Sequence, residues 1–144
     1  MMPEIIFYEK PGCLTNRKQK ALLRAVGFSL EVRDLLSYPW TVKTLKQFLQ
    51  YLPVTEWFNR AAPQLKSGEI APETLDEETA LSMLIEQPLL IRRPLLQWQD
   101  NFRAGFDLDR LQQELGIQWP GVDTQTEQSL DQCSRIGSKT EVCP

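Results

Sequence analysis

The chain has 144 residues, a net charge of −3 and no histidine. That length suits one domain with a real core, and the mild acidity gives no reason to expect a nucleic-acid partner. Without imidazole there is no hydrolase triad that relies on histidine and no histidine-containing zinc site.

The N-terminus, Met1-Met2-Pro3-Glu4, lacks the basic and apolar regions of a signal peptide, and no apolar run reaches membrane-spanning length, so a cytoplasmic location is expected. Residues 4–8 read as a buried strand, and a basic helix follows from Thr15 to Val26 with Ala21, Leu22, Ala25 and Val26 as its apolar face. Gly27 closes that helix. Ser29 to Asp34 gives a second strand, with Leu30 and Val32 alternating. Pro39-Trp40-Thr41 introduces a helix carrying Val42, Leu45, Phe48, Leu49 and Leu52, and Pro53 ends it. Val54 to Ala61 reads as another short helix, with Trp57 and Phe58 inward.

Gln64 to Pro72 reads as a polar connection. Thr74-Leu75-Asp76-Glu77 has capping-box spacing before a helix whose apolar side is Ala80, Leu81, Leu84 and Ile85. Leu89 to Leu96 predicts a strand interrupted at Pro94, which demands an edge, a bulge or a cis turn. Trp98 to Phe106 completes a hairpin. Asp107 caps a last helix, with Leu108, Leu111 and Leu115 facing the core and Gly116 ending it. Residues 120–144 are rich in Gln, Ser, Thr, Asp and Glu with no sustained period, and they predict a disordered polar tail after a domain over 1–119.

The chemistry concentrates at Cys13. A strand, a Pro-Gly turn, a cysteine and a basic helix in that order place the sulfur at a helix N-terminus, where unpaired N–H groups and the helix dipole favour negative charge. Such surroundings lower a thiol pKa from about 8.5 to roughly 3.5–7.5, which converts a mostly protonated sulfur into a nucleophile. An isolated cysteine is otherwise a packing residue. Cys133 and Cys143 complete an odd set of three, too widely spaced for a disulfide framework. They fit either exposed tail thiols or a resolving cysteine delivered to Cys13 by the tail. A metal site built from all three would need the tail to fold back, so no metal is expected.

The β-α-β opening, the helices after it, and the proline-interrupted hairpin with its closing helix give a thioredoxin-like arrangement. The fold class expected is α/β, a mixed sheet flanked by helices, with inserted helices as in arsenate reductases. Tyr8, Pro11, Cys13, Thr15, Arg17, Arg60 and Arg93-Pro94 resemble the arsenate reductase family in its glutaredoxin-dependent branch, over roughly residues 4–117. Within it, Tyr8 to Cys13, Trp57 to Pro63 and Pro88 to Leu95 look most like the nitrogenase-associated proteins, which are encoded near nitrogen-fixation genes.

The resemblance implies Cys13 as nucleophile and Pro94 as a structural cis-proline. Thr15, Arg17, Arg60 and Arg93 would form the oxyanion-binding group, the guanidinium forks matching a tetrahedral anion. It also implies an external reductant, glutathione or glutaredoxin, with no bound cofactor. The chain departs from the reductases at Glu9, where they place histidine, and at Phe106, where they place arginine. Arg103, three residues away, is a candidate substitute. Weak or absent arsenate reduction is therefore expected.

Three functions remain open from the sequence. One is a thiol-dependent oxidoreductase, an arsenate or oxyanion reductase included. Another is a binding module for a nitrogenase-related or cluster-assembly protein. The last is a redox sensor, which would need the tail cysteines, because Asn16 occupies the fourth position of the Cys-x-x-Cys motif used by sensor relatives.

Overall fold

A computed structural model describes residues 3–119 of the chain. The expected tail, with Cys133 and Cys143, lies outside the described residues. Four strands form one sheet: β1 (Glu4–Glu9), β2 (Ser29–Asp34), β3 (Leu95–Trp98) and β4 (Asn101–Ala104), in the spatial order β2-β1-β3-β4. β1 pairs parallel with β2 and antiparallel with β3, and β3 pairs antiparallel with β4. The helices are α1 (Leu14–Val26), α2 (Val42–Leu49), α3 (Pro63–Lys66), α4 (Glu77–Glu86) and α5 (Leu108–Leu115). The fold is thioredoxin-like: a mixed sheet with helices on both faces.

Alternation along the inner strands divides the core in two, because successive strand side chains point to opposite faces. Ile5 and Phe7 of β1 join Leu96 and Trp98 of β3, and these pack on Leu23 of α1 and on Leu108 and Leu111 of α5. Tyr8 and Leu95 face the other way, onto Leu45, Phe48 and Leu49 of α2 and Ala80, Leu81 and Leu84 of α4. The Tyr8 ring lies 5.1 Å from both Tyr38 and Trp40 and 5.3 Å from Phe48. Arg33, its neighbour in register on β2, donates to the Tyr8 hydroxyl at 2.9 Å.

Several elements differ from the sequence reading, each for a physical reason. On α1 the buried side chains are Asn16, Gln19 and Leu23, whereas Ala21 and Ala25 are exposed. The polar pair takes that face because its amides are hydrogen-bonded there, Asn16 donating to Gln19 and accepting from the Lys10 N–H, as described below. The helix expected over Val54 to Ala61 is only a 3-10 turn, Val54–Glu56. Beyond it the backbone pairs across the chain instead: Phe58 bridges Ile91, the Asn59 N–H donates to the Leu90 carbonyl at 2.7 Å, and the Arg92 N–H donates to Trp57 at 3.0 Å.

That same pairing replaces the strand expected over residues 89–93. Pro88–Leu90 forms a 3-10 turn, Ile91 makes the bridge, and regular strand begins only at Leu95, after a cis Arg93–Pro94 peptide. The polar connection holds α3 and a 3-10 turn, Pro72–Thr74. Thr74 belongs to that turn, its hydroxyl donating to Ala71, so Asp76 caps α4 by accepting from the Thr79 N–H at 2.8 Å. The capping box sits on α2, between Thr41 and Thr44. The closing helix matches its expected caps, Asp107 and Gly116.

Candidate functional site: the Cys13 loop and the approach to Pro94

The loop from Lys10 to Cys13 is fixed by short-range hydrogen bonds. The Cys13 N–H donates to the Lys10 carbonyl at 3.1 Å, and the Lys10 N–H donates to Asn16 Oδ1 at 3.0 Å. Asn16 Nδ2 then donates to Gln19 Oε1 at 2.8 Å. Both amides are buried, so the loop and the first turn of α1 are held as one unit. Gly12 adopts φ +85° between them, a left-handed conformation that side-chain-bearing residues rarely take, although the space around its Cα is open.

Cys13 is the N-cap of α1, and its sulfur accepts the Asn16 N–H at 3.4 Å. It is 4 % exposed. The sulfur is disulfide-bonded. Once reduced, it sits where the Asn16 N–H and the helix dipole favour a thiolate. Glu9, whose carboxylate would oppose that, is ion-paired with Lys20, about two helical turns along α1 from Cys13. Lys20 therefore supplies the cation that offsets Glu9.

Strand register brings the second half of the site to this loop. Tyr8 lies opposite Leu95 in the antiparallel β1–β3 ladder. The ladder ends at that pair, so the loop after Glu9 and the cis Arg93–Pro94 peptide before Leu95 leave the sheet at the same end. The two cations feel each other: Lys10 is held below its usual pKa by burial and by the Arg93 charge. Arg93 is 3 % exposed, and burial lowers its guanidinium to about 10. It remains protonated at neutral pH. Its Nη1 donates to the Leu89 carbonyl at 3.4 Å. The loop that carries Cys13 at a helix N-terminus thus also carries Lys10, whose charge is coupled to that of the buried Arg93, and such a grouping of positive charge suits an anion.

The other residues singled out from the sequence fall differently. Thr15 is half-buried and Arg17 exposed on the first turn of α1. Arg60 is exposed, and its Nη2 donates to the Thr55 carbonyl at 2.8 Å. The buried polar residue of that segment is Asn59, whose Oδ1 accepts the Ala61 N–H at 3.1 Å while its Nδ2 has no partner. Arg92 pairs with Glu56 at 3.5 Å.

Phe106 is fully buried in the α1/α5 core, 5.8 Å from Trp119. Arg103 does not take its place at the site: it pairs with Glu114 at 2.9 Å and lies over the Tyr51 and Trp98 rings. The sequence places Lys20 toward solvent or the site, whereas Asn16, Gln19 and Asn59 are not marked by it as parts of the site. Only Asn16 carried a usable signal, since it stands three residues after Cys13 and could have been weighed as a cap partner.

The model of the ArsC family matches residues 8–113. The chain is 43 % identical over 116 residues to an uncharacterized 15.7 kDa protein in the draG 3' region of Rhodospirillum rubrum, covering 81 % of each chain. It is 30 % identical to the regulatory protein MgsR of Bacillus subtilis, covering 67 % of this chain and 78 % of that one. Among solved structures, the arsenate reductase from Vibrio cholerae superposes with a TM-score of 0.64 at 23 % identity, over 82 % of this chain and all of that one. That likeness speaks for the fold.

Proposed function

The chain belongs to the ArsC family, and from that premise we propose that it is a cytoplasmic thiol-redox protein acting through Cys13 and linked to nitrogen fixation. The observation that supports this reading is Cys13 as the N-cap of α1, in a loop whose Lys10 is charge-coupled to the buried Arg93. In the reaction, the Cys13 thiolate attacks one sulfur of a disulfide. A new S–S bond forms, the old one breaks, and one thiolate leaves. A thiol reductant of the glutathione or glutaredoxin kind returns Cys13 to the thiol.

The nitrogen-fixation link rests on the resemblance to nitrogenase-associated proteins and on the relative described as lying in a draG 3' region. No helix among the described residues is long and apolar enough to cross a membrane, which suits the location proposed. Arsenate reduction is the second reading, favoured by the family. Phe106 in the core and Arg103 held by Glu114 speak against an efficient reductase, because neither supplies the further guanidinium that the family resemblance leads one to expect.

The test is turnover with glutathione and glutaredoxin, using arsenate and a low-molecular-weight disulfide as competing substrates, for the wild type and Cys13→Ser. Disulfide turnover that depends on Cys13, with little arsenate turnover, is expected. Efficient arsenate turnover would install the reductase reading. Growth on dinitrogen against growth on ammonium, in a diazotrophic host carrying Cys13→Ser, tests the link to nitrogen fixation; equal growth of mutant and wild type on dinitrogen would remove it.

A further inference from the structure

An apolar groove of about 350 Å³ opens between three separate segments of the chain: Leu36 after β2, Ala62 and Pro63 at the start of α3, and Leu89 in the turn before Ile91. The side chains lining it are apolar except for the amides of Gln64 and Gln87, which bond each other at 3.4 Å. Leu89 is 42 % exposed beside it. An apolar cavity of roughly 150 Å³ accommodates a benzene ring, so the groove has room for a large apolar side chain and part of the backbone that carries it. We propose that this groove anchors the substrate of Cys13, and that the substrate is a disulfide on a protein segment with a large apolar residue within about six positions of the reacting cysteine. The inference rests on the reading of Cys13 as a reactive thiol and names the class of substrate it meets.

Two hydrogen-bonded connections put the groove at the Cys13 end of the sheet. One runs through the backbone. The Cys13 N–H donates to the Lys10 carbonyl at 3.1 Å, Lys10 follows Glu9, and the Leu35 N–H donates to the Glu9 carbonyl at 2.8 Å, with Leu36 next in the chain. Standard backbone dimensions then hold the Cα atoms of Cys13 and Leu36 within about 21 Å of each other, the reach of about six extended residues. The other connection runs through the Leu89 wall. Arg93 Nη1 donates to the Leu89 carbonyl at 3.4 Å, and the Arg93 charge is felt by Lys10 in the Cys13 loop.

A groove at this distance sorts substrates by size and chemistry. Glutathione disulfide can react at Cys13, but it has no large apolar side chain to bury in the groove. An extended peptide does both at once, with its cysteine at the α1 N-terminus and an apolar side chain against Leu36, Pro63 and Leu89. Charge along the way favours an acidic residue between the two, because Lys10 and Arg93 are cationic and the Glu9 carboxylate is already paired with Lys20. In the reaction, the Cys13 thiolate, its proton lost to solvent, attacks one sulfur of the partner's disulfide. The Cys13–partner S–S bond forms and the partner's other sulfur leaves as thiolate. Two glutathione thiols in succession then release the partner cysteine and Cys13, leaving the partner reduced and one glutathione disulfide formed.

The test uses the reduced full chain and short peptides with one cysteine, one glutamate and one leucine, the leucine standing at successive positions up to about six from the cysteine. Each peptide is presented as its mixed disulfide with nitrothiobenzoate, and glutathione presented in the same way is the reference. Release of coloured nitrothiobenzoate is timed, with the rate of Cys13→Ser subtracted for the other thiols. The best leucine peptide is expected to react about tenfold faster than its alanine counterpart, the scale on which an apolar pocket tells side chains apart. Leu89→Ser should bring that ratio close to one, and Leu89→Met, which keeps the wall apolar, should preserve it. Equal rates for leucine and alanine at every position, with the glutathione conjugate still reacting through Cys13, would overturn the proposal and leave the reactive thiol standing. A groove that serves a free small molecule gives that same result. A ratio that persists in Leu89→Ser would also overturn it, since the leucine would then be held elsewhere. Absence of Cys13-dependent release from every conjugate, glutathione included, would sink the proposal together with the reading beneath it.

Discussion

The two halves of the candidate site are built in opposite ways. The Cys13 half is local: its bonds join residues three to six apart, from Lys10 to Gln19. The arginine half is assembled across the chain, from the Phe58–Ile91 bridge, the Asn59 to Leu90 bond and the Arg92 to Trp57 bond. The first half survives any change that leaves α1 folded, whereas the second depends on two distant segments meeting. Two arginines that look equivalent in the sequence illustrate the difference. Arg93 is buried and its charge is felt by Lys10 in the loop, whereas Arg60 is exposed and donates to the Thr55 carbonyl.

The largest effect expected is at the nucleophile. Cys13→Ser should abolish disulfide exchange, because a serine hydroxyl is essentially un-ionised at neutral pH and forms no disulfide; residual exchange by that variant, followed with glutathione disulfide, would place the reaction at another sulfur. Next comes the contrast between the arginines. The ratio of Cys13 alkylation rates with iodoacetate and with iodoacetamide cancels the thiolate fraction and reads the field on an incoming anion.

Arg93→Met should lower that ratio about 10–100-fold, the scale of one charge-assisted hydrogen bond of roughly 1.5–3 kcal/mol. Arg60→Ala should change it less than about twofold, as an exposed charge screened by salt does. Equal losses in the two variants would break the distinction between the halves. The same ratio has a pH dependence with a definite sign. Arg93 loses its charge as pH rises through about 10, so the preference for iodoacetate should decline over that range. Lys10, lowered from its ordinary value, contributes to the decline in the same direction.

The legibility of the sequence follows this division. The strand-turn-cysteine-helix order is a local pattern, and it led to β1, α1 and the N-terminal position of Cys13. The last helix was equally legible, because Asp107 and Gly116 are caps that act within one turn. The segment from Val54 to Pro94 was not. Trp57 and Phe58 are buried as expected, yet their backbone pairs with residues more than thirty positions away, and no local period carries that information. The arginines were therefore identified by family resemblance, and resemblance alone could not tell which guanidinium the pairing would turn inward. Asn59 escaped notice for the same reason.

Within the local half, Asn16→Ala sharpens the claim that the loop is a self-contained unit. The change leaves the Lys10 N–H and the Gln19 amide without their partner in a buried setting, which costs about 1–3 kcal/mol. For a domain of this size that corresponds to a loss of roughly 4–12 °C in melting temperature. Calorimetry of the reduced protein measures it. A melting temperature unchanged by the substitution would mean that the loop is held by the distant half and not by its own hydrogen bonds.

The smallest effect concerns the Glu9–Lys20 pair beside the cysteine. Glu9 lies at the end of β1 and Lys20 on α1, so the pair bridges the two elements that flank the Cys13 loop, and two opposite charges so close together largely cancel at a distance. Removing the carboxylate with Glu9→Gln leaves a cation near Cys13, which should lower the apparent thiol pKa. Removing the cation with Lys20→Met leaves a carboxylate, which should raise it. Each shift should be about 0.2–0.7 pH unit, since the pair is partly exposed and charge interactions of that kind amount to roughly 0.2–1 kcal/mol. The double variant restores neutrality and should return the pKa close to the wild-type value. The pH dependence of iodoacetamide alkylation reads all four proteins. Shifts of the same sign in the two single variants would show that the substitutions act by disturbing α1, and the electrostatic account of Glu9 at this site would fall.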